Sequence, residues 1–99
     1  MEIRIQAIHF DVTERLEAFI QKKISKLSQY HDGILDAEVI LRVVKPETAR
    51  NKQAGIRLQI KNNDCFAEKV GDTFEEAVDE AVVALEKQLI KAKEKSRAK

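Results

Sequence analysis

The sequence has little of what stabilises secreted domains, builds linkers or crosses membranes. Its single cysteine, Cys65, cannot form an internal disulfide, which is typical of proteins of the reducing cytoplasm. One proline and three glycines leave little sign of a linker. No apolar run approaches the roughly 18 residues that span a bilayer, and the start Met1–Arg4 is too polar for a signal peptide. We therefore expect a cytoplasmic protein with no membrane partner.

The motifs of common catalytic sites are missing as well. His9, His31 and Cys65 do not have the spacing of metal ligands, so we expect neither a metal nor a cofactor. No glycine-rich phosphate loop and no Gly-x-Ser-x-Gly motif occur, and no small-molecule substrate is indicated. Cys65 is interpreted as a small buried hydrophobic residue rather than a nucleophile. These features indicate a protein that is not an enzyme.

Charge, by contrast, is abundant and unevenly placed. Charged residues make up 35% of the 99 residues, for a net charge of only +1. Residues 64–80 hold seven acids against one base, Lys69, whereas residues 86–99 hold six bases against two acids. The near-neutral total therefore conceals a basic end of the molecule. The length fits one domain, which we place at residues 1–95, with residues 96–99 as a disordered tail.

Hydrophobic periodicity predicts an α+β domain with the order β-α-β-β-β-α. Alternating residues predict strands at 2–8, 37–44, 54–60 and 65–70, with a polar loop from 45 to about 52 and a hairpin turn at 62–64. Helical spacing predicts a first helix over about 13–30, with Asp11 and Glu14 at capping-box spacing. A second helix opens after Gly71 and is expected to fray within residues 90–99.

The connections between these elements predict how they assemble. A helical crossover favours a parallel first pair of strands, and short hairpins make the other pairs antiparallel. The result is a four-stranded mixed sheet with two parallel helices on one face and their C-terminal ends together. Lysines near both helix ends would then merge into one basic patch that suits RNA. The candidate RNA-binding residues are Lys22, Lys23, Lys26, Lys87, Gln88, Lys91, Lys93 and Lys95.

These lysines also admit a simpler interpretation. Bases at helix ends complement the helix dipole whether or not a ligand binds. Lys23 differs from the others because it falls inside the apolar stripe of the first helix, and Gln88 sits at the edge of the second stripe. Lys23 must extend out of the groove between the helices, either towards a ligand or as a cover for the core.

Both predicted helices resemble those of a known family. Val12–Ile20, followed by Lys23–Leu27 and Gln29–Asp32, resembles the first helix of the ribosome hibernation promoting factors, also called ribosome-associated inhibitors or ribosomal subunit interface proteins. Ala77–Asp79, followed by Leu85–Lys93, resembles their second helix. The similarity runs in register from about residue 3 to about residue 95, nearly the whole chain.

The resemblance implies a fold similar to double-stranded-RNA-binding domains and binding to rRNA of the small ribosomal subunit. Binding would occur in the mRNA channel across the A and P sites and exclude mRNA and tRNA in stationary phase. Two departures concern individual RNA contacts: Thr73–Glu75 replaces an acid-Met-Tyr triplet, and Ala84 replaces a lysine. The positions that match the family's basic residues are Lys23, Lys26, Lys87, Lys91 and Lys93, with Gln88 beside them.

Long members of this family continue into a C-terminal dimerisation domain that pairs two ribosomes, and this chain resembles the short form. Residues 94–99 contain no apolar side chain larger than alanine. We therefore expect this protein alone to silence single ribosomes and expect pairing to need a second factor.

Two other classes of protein remain as alternatives. A protein–protein interaction module would use the open sheet face, on which Ile40, Val44 and Phe66 are expected to project. An acylphosphatase-like enzyme has this size, but its arginine-bearing glycine-rich loop is missing and its last element is a strand. Salt-sensitive binding to rRNA would separate the ribosome-binding interpretation from both.

Overall fold

The order of the elements confirms the predicted β-α-β-β-β-α arrangement. The computed structural model describes residues 2–44, 50–61 and 63–97, with the backbone alone for residues 63 and 93–97. Residues 45–49 of the expected loop and Asn62 of the expected turn lie outside the described residues. The elements are strand β1 (Glu2–Ala7), helix α1 (Glu14–Ser25), a 3-10 turn (Lys26–Gln29), β2 (Ile34–Val43), β3 (Lys52–Ile60), β4 (Asn63–Gly71) and α2 (Phe74–Arg97).

The four strands form one mixed sheet in the order β1-β2-β3-β4. β1 runs parallel to β2, whereas β2–β3 and β3–β4 are antiparallel, as predicted. A parallel pair needs a crossover connection, and α1 provides it. β4 runs in the same direction as β1 and β2, so α2 returns in the same direction as α1, and its buried residues join those of α1 in one core on the same face of the sheet. The other face of the sheet stays open.

The core fills the space between the sheet and the two helices. Alternate residues of β2 and β3 point into this space, where they meet the apolar stripes of α1 and α2. Burying each large aliphatic side chain stabilises the fold by roughly 1.5–3 kcal/mol. The largest fully buried side chains are Ile20, Ile24, Leu27, Val39, Leu41, Ile56, Leu58, Val78, Leu85 and Leu89.

Threonine caps begin both helices. The Thr13 hydroxyl accepts a hydrogen bond from the Leu16 N–H at 3.1 Å, and the Thr73 hydroxyl accepts one from the Glu76 N–H at 3.1 Å. The capping box predicted from Asp11 and Glu14 is therefore wrong. Thr13 takes the extended backbone that an N-cap needs, while Asp11 lies exposed two residues earlier.

The ends of the elements differ from the predictions by a few residues. α1 stops at Ser25 and continues as the 3-10 turn, so a regular helix to residue 30 is wrong in its last turn. β2 begins at Ile34, three residues before the predicted start, and β4 extends beyond the predicted strand at both ends. The α2 backbone stays helical to Arg97 through the segment expected to fray. The disordered tail at 96–99 stays a prediction.

The two helices run parallel but have very different lengths. Phe10, just before α1, stacks on Phe74 at the start of α2 with ring centroids 4.9 Å apart, so both helices begin at the same end of the molecule. α1 has 12 residues and α2 has 24. At about 1.5 Å per residue, α2 is roughly 18 Å longer. The prediction that the helices end together is therefore wrong.

Burial of Cys65 predicts a thiol of low reactivity. The residue is 4% exposed in the core, and burial raises the pKa of its thiol, with a further rise from the Asp64 carboxylate. We expect thiol reagents to modify the folded protein slowly and the denatured protein rapidly. Cys65→Ala should lower the free energy of unfolding by about 1 kcal/mol.

Thiol labelling during a denaturant titration measures the first expectation, and chemical denaturation measures the second. The ribosome binding that the family resemblance implies should be equal in the Cys65→Ala variant and the parent. Rapid labelling of the fully folded protein would contradict the buried role.

Candidate RNA-binding surface

Two lysines at the end of α1 are exposed and without a counter-charge. Lys22 lies in the last turn of α1 and Lys26 follows as its C-cap, four residues later. Residues at this spacing lie one above the other on the same side of a helix. Neither lysine makes an ion pair with any residue whose side chain is described. Their ammonium groups are thus available to an anion in solution.

Lys23 is positioned differently, because it bridges the two helices. Its Nζ lies 2.9 Å from the Asp79 Oδ1 on α2 and 5.6 Å from the centre of the Phe19 ring. The side chain is 32% exposed. It extends out of the groove between the helices, as its place in the apolar stripe predicted, and it already has an acidic partner there.

The lysines of α2 follow a row along its outer side. Asp79, Val83, Lys87 and Lys91 are spaced by four residues and therefore lie along one side of the helix. Lys87 and Lys91 are exposed and make no ion pair with another described side chain. The side chains of Lys93 and Lys95 lie outside the described residues.

The lysines of the two helices do not merge into one patch at coincident helix ends. Lys23 meets α2 at Asp79, and Lys87 lies eight residues further on, about 12 Å along the axis. The greater length of α2 is the cause of this separation. The basic residues form a surface distributed over the helices, which we call the helical basic surface: Lys22 of α1 and Lys26 of the 3-10 turn that follows it, with Lys87 and Lys91 of α2.

Gln88 faces the sheet and not the lysines. Its Nε2 donates to the Phe66 carbonyl at 2.8 Å, and its Oε1 accepts from the Phe66 N–H at 3.3 Å. β4 is an edge strand, so these two backbone groups have no neighbouring strand to pair with. The side-chain amide of Gln88 replaces that strand locally and ties α2 to the sheet.

The open sheet face has charges of both signs, and they pair with each other. The Arg4 guanidinium lies 3.7 Å from the Asp36 carboxylate and 3.9 Å from that of Glu38. Arg57 pairs with Asp64 at 2.6 Å, and this hydrogen-bonded carboxylate raises the pKa of the Arg57 guanidinium further. Arg42, which projects from the same face, makes no ion pair with a described side chain, whereas several unpaired lysines lie on the helical side of the molecule.

Two basic residues of this side escaped the sequence reasoning. Arg50 contacts Glu76 and Glu80 of α2 at 3.3 Å and 3.7 Å, which neutralises part of the acidic start of that helix. Lys69, exposed on β4, lies beside Lys87. The signal for Lys69 was its position as the one base among the acids of residues 64–80.

Other kinds of site find no support in the described part of the chain. Among those residues no three His, Cys, Asp or Glu side chains come together as a set that could hold a metal ion. None of the described helices combines the length and the apolar character needed to cross a membrane.

A family match covers almost all of these elements. The family described as "Sigma 54 modulation protein / S30EA ribosomal protein" matches residues 3–97. The chain belongs to this family. It is 30% identical over 95 residues to the ribosome hibernation promoting factors of Azotobacter vinelandii and Escherichia coli. Each alignment covers 96% of this chain, with 85% of the first relative and 96% of the second.

A solved structure supports the same assignment. The N-terminal domain of Thermus thermophilus Protein Y superposes with a TM-score of 0.80 at 25% identity, covering 92% of this chain and 98% of that domain. The family predicted from the two helix motifs is thereby confirmed. Its members are named for ribosome hibernation and not for a reaction, and the last element of this fold is a helix, unlike that of an acylphosphatase.

The Lys23–Asp79 pair predicts that an acid-to-amide change strengthens RNA binding. Asp79→Asn should release the Lys23 ammonium for a phosphate and steepen the dependence of log affinity on log salt by roughly 0.7–0.9 units. Binding to purified small subunits across a salt series measures the slope. Glu75→Gln is the matched control, because it removes an acid from α2 that pairs with no described lysine. Equal slopes in both variants would mean that Lys23 only bridges the helices.

The contacts of Gln88 predict a local effect on β4. In a Gln88→Leu variant, the Phe66 amide should exchange its hydrogen faster, because its one protein acceptor among the described residues is lost. The Ala67 residue pairs with Ile56 of β3 and should remain protected. Hydrogen exchange followed by NMR distinguishes the two amides. An unchanged Phe66 rate would contradict the edge-capping role.

Proposed function

We propose that this protein is a ribosome hibernation factor that binds rRNA of the small subunit in the cytoplasm. It occupies the mRNA channel near the A and P sites and keeps mRNA and tRNA from idle ribosomes in stationary phase. The observation that carries the proposal is the helical basic surface, in a chain whose family members are named for ribosome hibernation.

The chemistry of this surface suits a phosphate backbone. Each exposed lysine carries a hydrated point charge with three donors, which binds phosphate without reading a base. A phosphate contact also releases a condensed counterion, and this release favours binding most at low salt. Dipole complementation alone explains a lysine at a helix end. It does not explain Lys87, which lies ten residues before the end of α2.

The proposal predicts a loss of affinity that depends on salt. Replacing Lys22, Lys26, Lys87 and Lys91 by alanine should weaken binding to purified small subunits and flatten the log–log salt dependence. Each lost contact should reduce the slope by roughly 0.7–0.9 units. The fold should persist, because exposed lysines contribute little to stability. Co-sedimentation across a salt series, with an in vitro translation assay beside it, measures both effects.

A charge-matched control separates specific contacts from net charge. Arg42 and Lys61 are exposed outside the helical basic surface, so the Arg42→Ala/Lys61→Ala variant should bind more like the parent than Lys87→Ala/Lys91→Ala does. The proposal fails if the four-lysine variant keeps its affinity with intact circular dichroism. Salt-insensitive binding that disappears in Phe66→Ala would instead assign the contact to the open sheet face.

A further inference from the structure

A groove runs between α2 and the outer edge of β4 and includes Lys87, one of the lysines that sequence similarity singles out. It has a volume of about 360 Å³ and is lined by Lys69, Asp79, Glu80, Val83, Ala84 and Lys87. Val83, 44% exposed, and Ala84 give it an apolar floor. Lysines stand on both walls, one from the strand and one from the helix.

The direction of Lys69 follows from the register of the sheet. Lys69 pairs with Ala54, whose side chain is fully buried under the helices, so the side chain of Lys69 leaves the sheet on the same, helical side. It remains exposed because β4 is the edge strand and α2 covers only part of it. The register of the sheet thus places Lys69 on the helical side of the molecule, beside Lys87.

The two acids of the groove already have partners outside it. The Asp79 carboxylate contacts the Lys23 ammonium at 2.9 Å, and the Glu80 carboxylate contacts the Arg50 guanidinium at 3.7 Å. Lys69 and Lys87 make no ion pair with any described side chain. Asp79 is thus paired with a base of α1, and Glu80 shares the Arg50 guanidinium with Glu76. The groove keeps two lysines that make no ion pair with a described side chain.

The walls of the groove are held at a fixed separation. The two hydrogen bonds from Gln88 to the Phe66 backbone tie α2 to β4 one residue after Lys87. Beyond Lys69, Gly71 approaches α2 so closely that a Cβ there would lie 3.2 Å from the Ala77 backbone nitrogen. The backbones that carry the two lysines are therefore held at a fixed separation before any ligand arrives, which lowers the cost of binding.

We propose that this groove is a phosphate-binding subsite in which Lys69 and Lys87 together hold one backbone phosphate of the rRNA. The inference rests on the proposed function and adds to it a residue, Lys69, and a place for one phosphate. Two ammonium groups on opposite sides of a phosphate each donate a charge-assisted hydrogen bond, while Val83 and Ala84 exclude water below it.

The test is a double-mutant cycle on binding to purified small subunits across a salt series. Lys69→Ala and Lys87→Ala should each weaken binding. The double variant should lower the salt slope by roughly 0.7–0.9 units and not by twice that, because one phosphate is lost. Lys69→Arg should retain most of the affinity. Lys61→Ala is the control, an exposed lysine at the β3–β4 hairpin.

The possible results lead to different conclusions. If Lys69→Ala binds like the parent while the four-lysine variant fails, the subsite is wrong and the proposed function stands. If all variants bind like the parent, both are wrong. If the salt slope of the double variant falls by the amount expected for two phosphate contacts, the two lysines do not share one phosphate. The same cycle on protein-free small-subunit rRNA should show the same loss, and a loss seen only with intact subunits would assign the groove to an acidic ribosomal protein.

Discussion

The parallel pairing of β1 with β2 is the constraint on which the rest of the molecule depends. Two strands that run in the same direction cannot be joined by a hairpin, so α1 has to cross one face of the sheet. The hairpin partners β3 and β4 then leave β4 parallel to β1 and β2, and α2 returns over the same face. The molecule therefore has one helical side and one open side, and charged residues are arranged differently on the two.

On the open side, strand register places opposite charges next to each other. Glu38 lies opposite Arg4 on one neighbouring strand and opposite Arg57 on the other, so strand register alone brings these side chains next to opposite charges. On the helical side, Lys22 and Lys26, like Lys87 and Lys91, find another lysine one turn away. Like charges at this spacing repel each other, and an anionic ligand relieves the repulsion. A net charge of +1 therefore coexists with a surface suited to RNA.

Features that depend on local periodicity could be predicted from the sequence, and features that depend on distance between elements could not. The stripes containing Ile20, Ile24 and Leu85 identify the helices because each residue repeats at helical spacing. The Asp79 partner of Lys23 depends on how α1 and the first part of α2 are aligned side by side, which no local pattern encodes. Lys69 was hidden for the same reason, since its place beside Lys87, and the pairing of Asp79 and Glu80 with bases of other elements, depend on contacts between elements.

The difference in length between the two helices also affects how such a surface distinguishes one RNA from another. The acidic first part of α2 lies against the basic end of α1, where Asp79 pairs with Lys23. The α2 lysines without a described ion-pair partner therefore lie in the second part of the helix, and the basic surface is elongated along it. Single lysines along a rigid helix contact phosphates and read no base edge. In the proposed complex, discrimination would come from RNA shape, because only a backbone that brings several phosphates to these positions at once gains the full affinity. In the proposed complex, the tie between Gln88 and β4 would contribute to this selectivity without touching RNA, because it determines where α2 stands relative to Lys69 on β4.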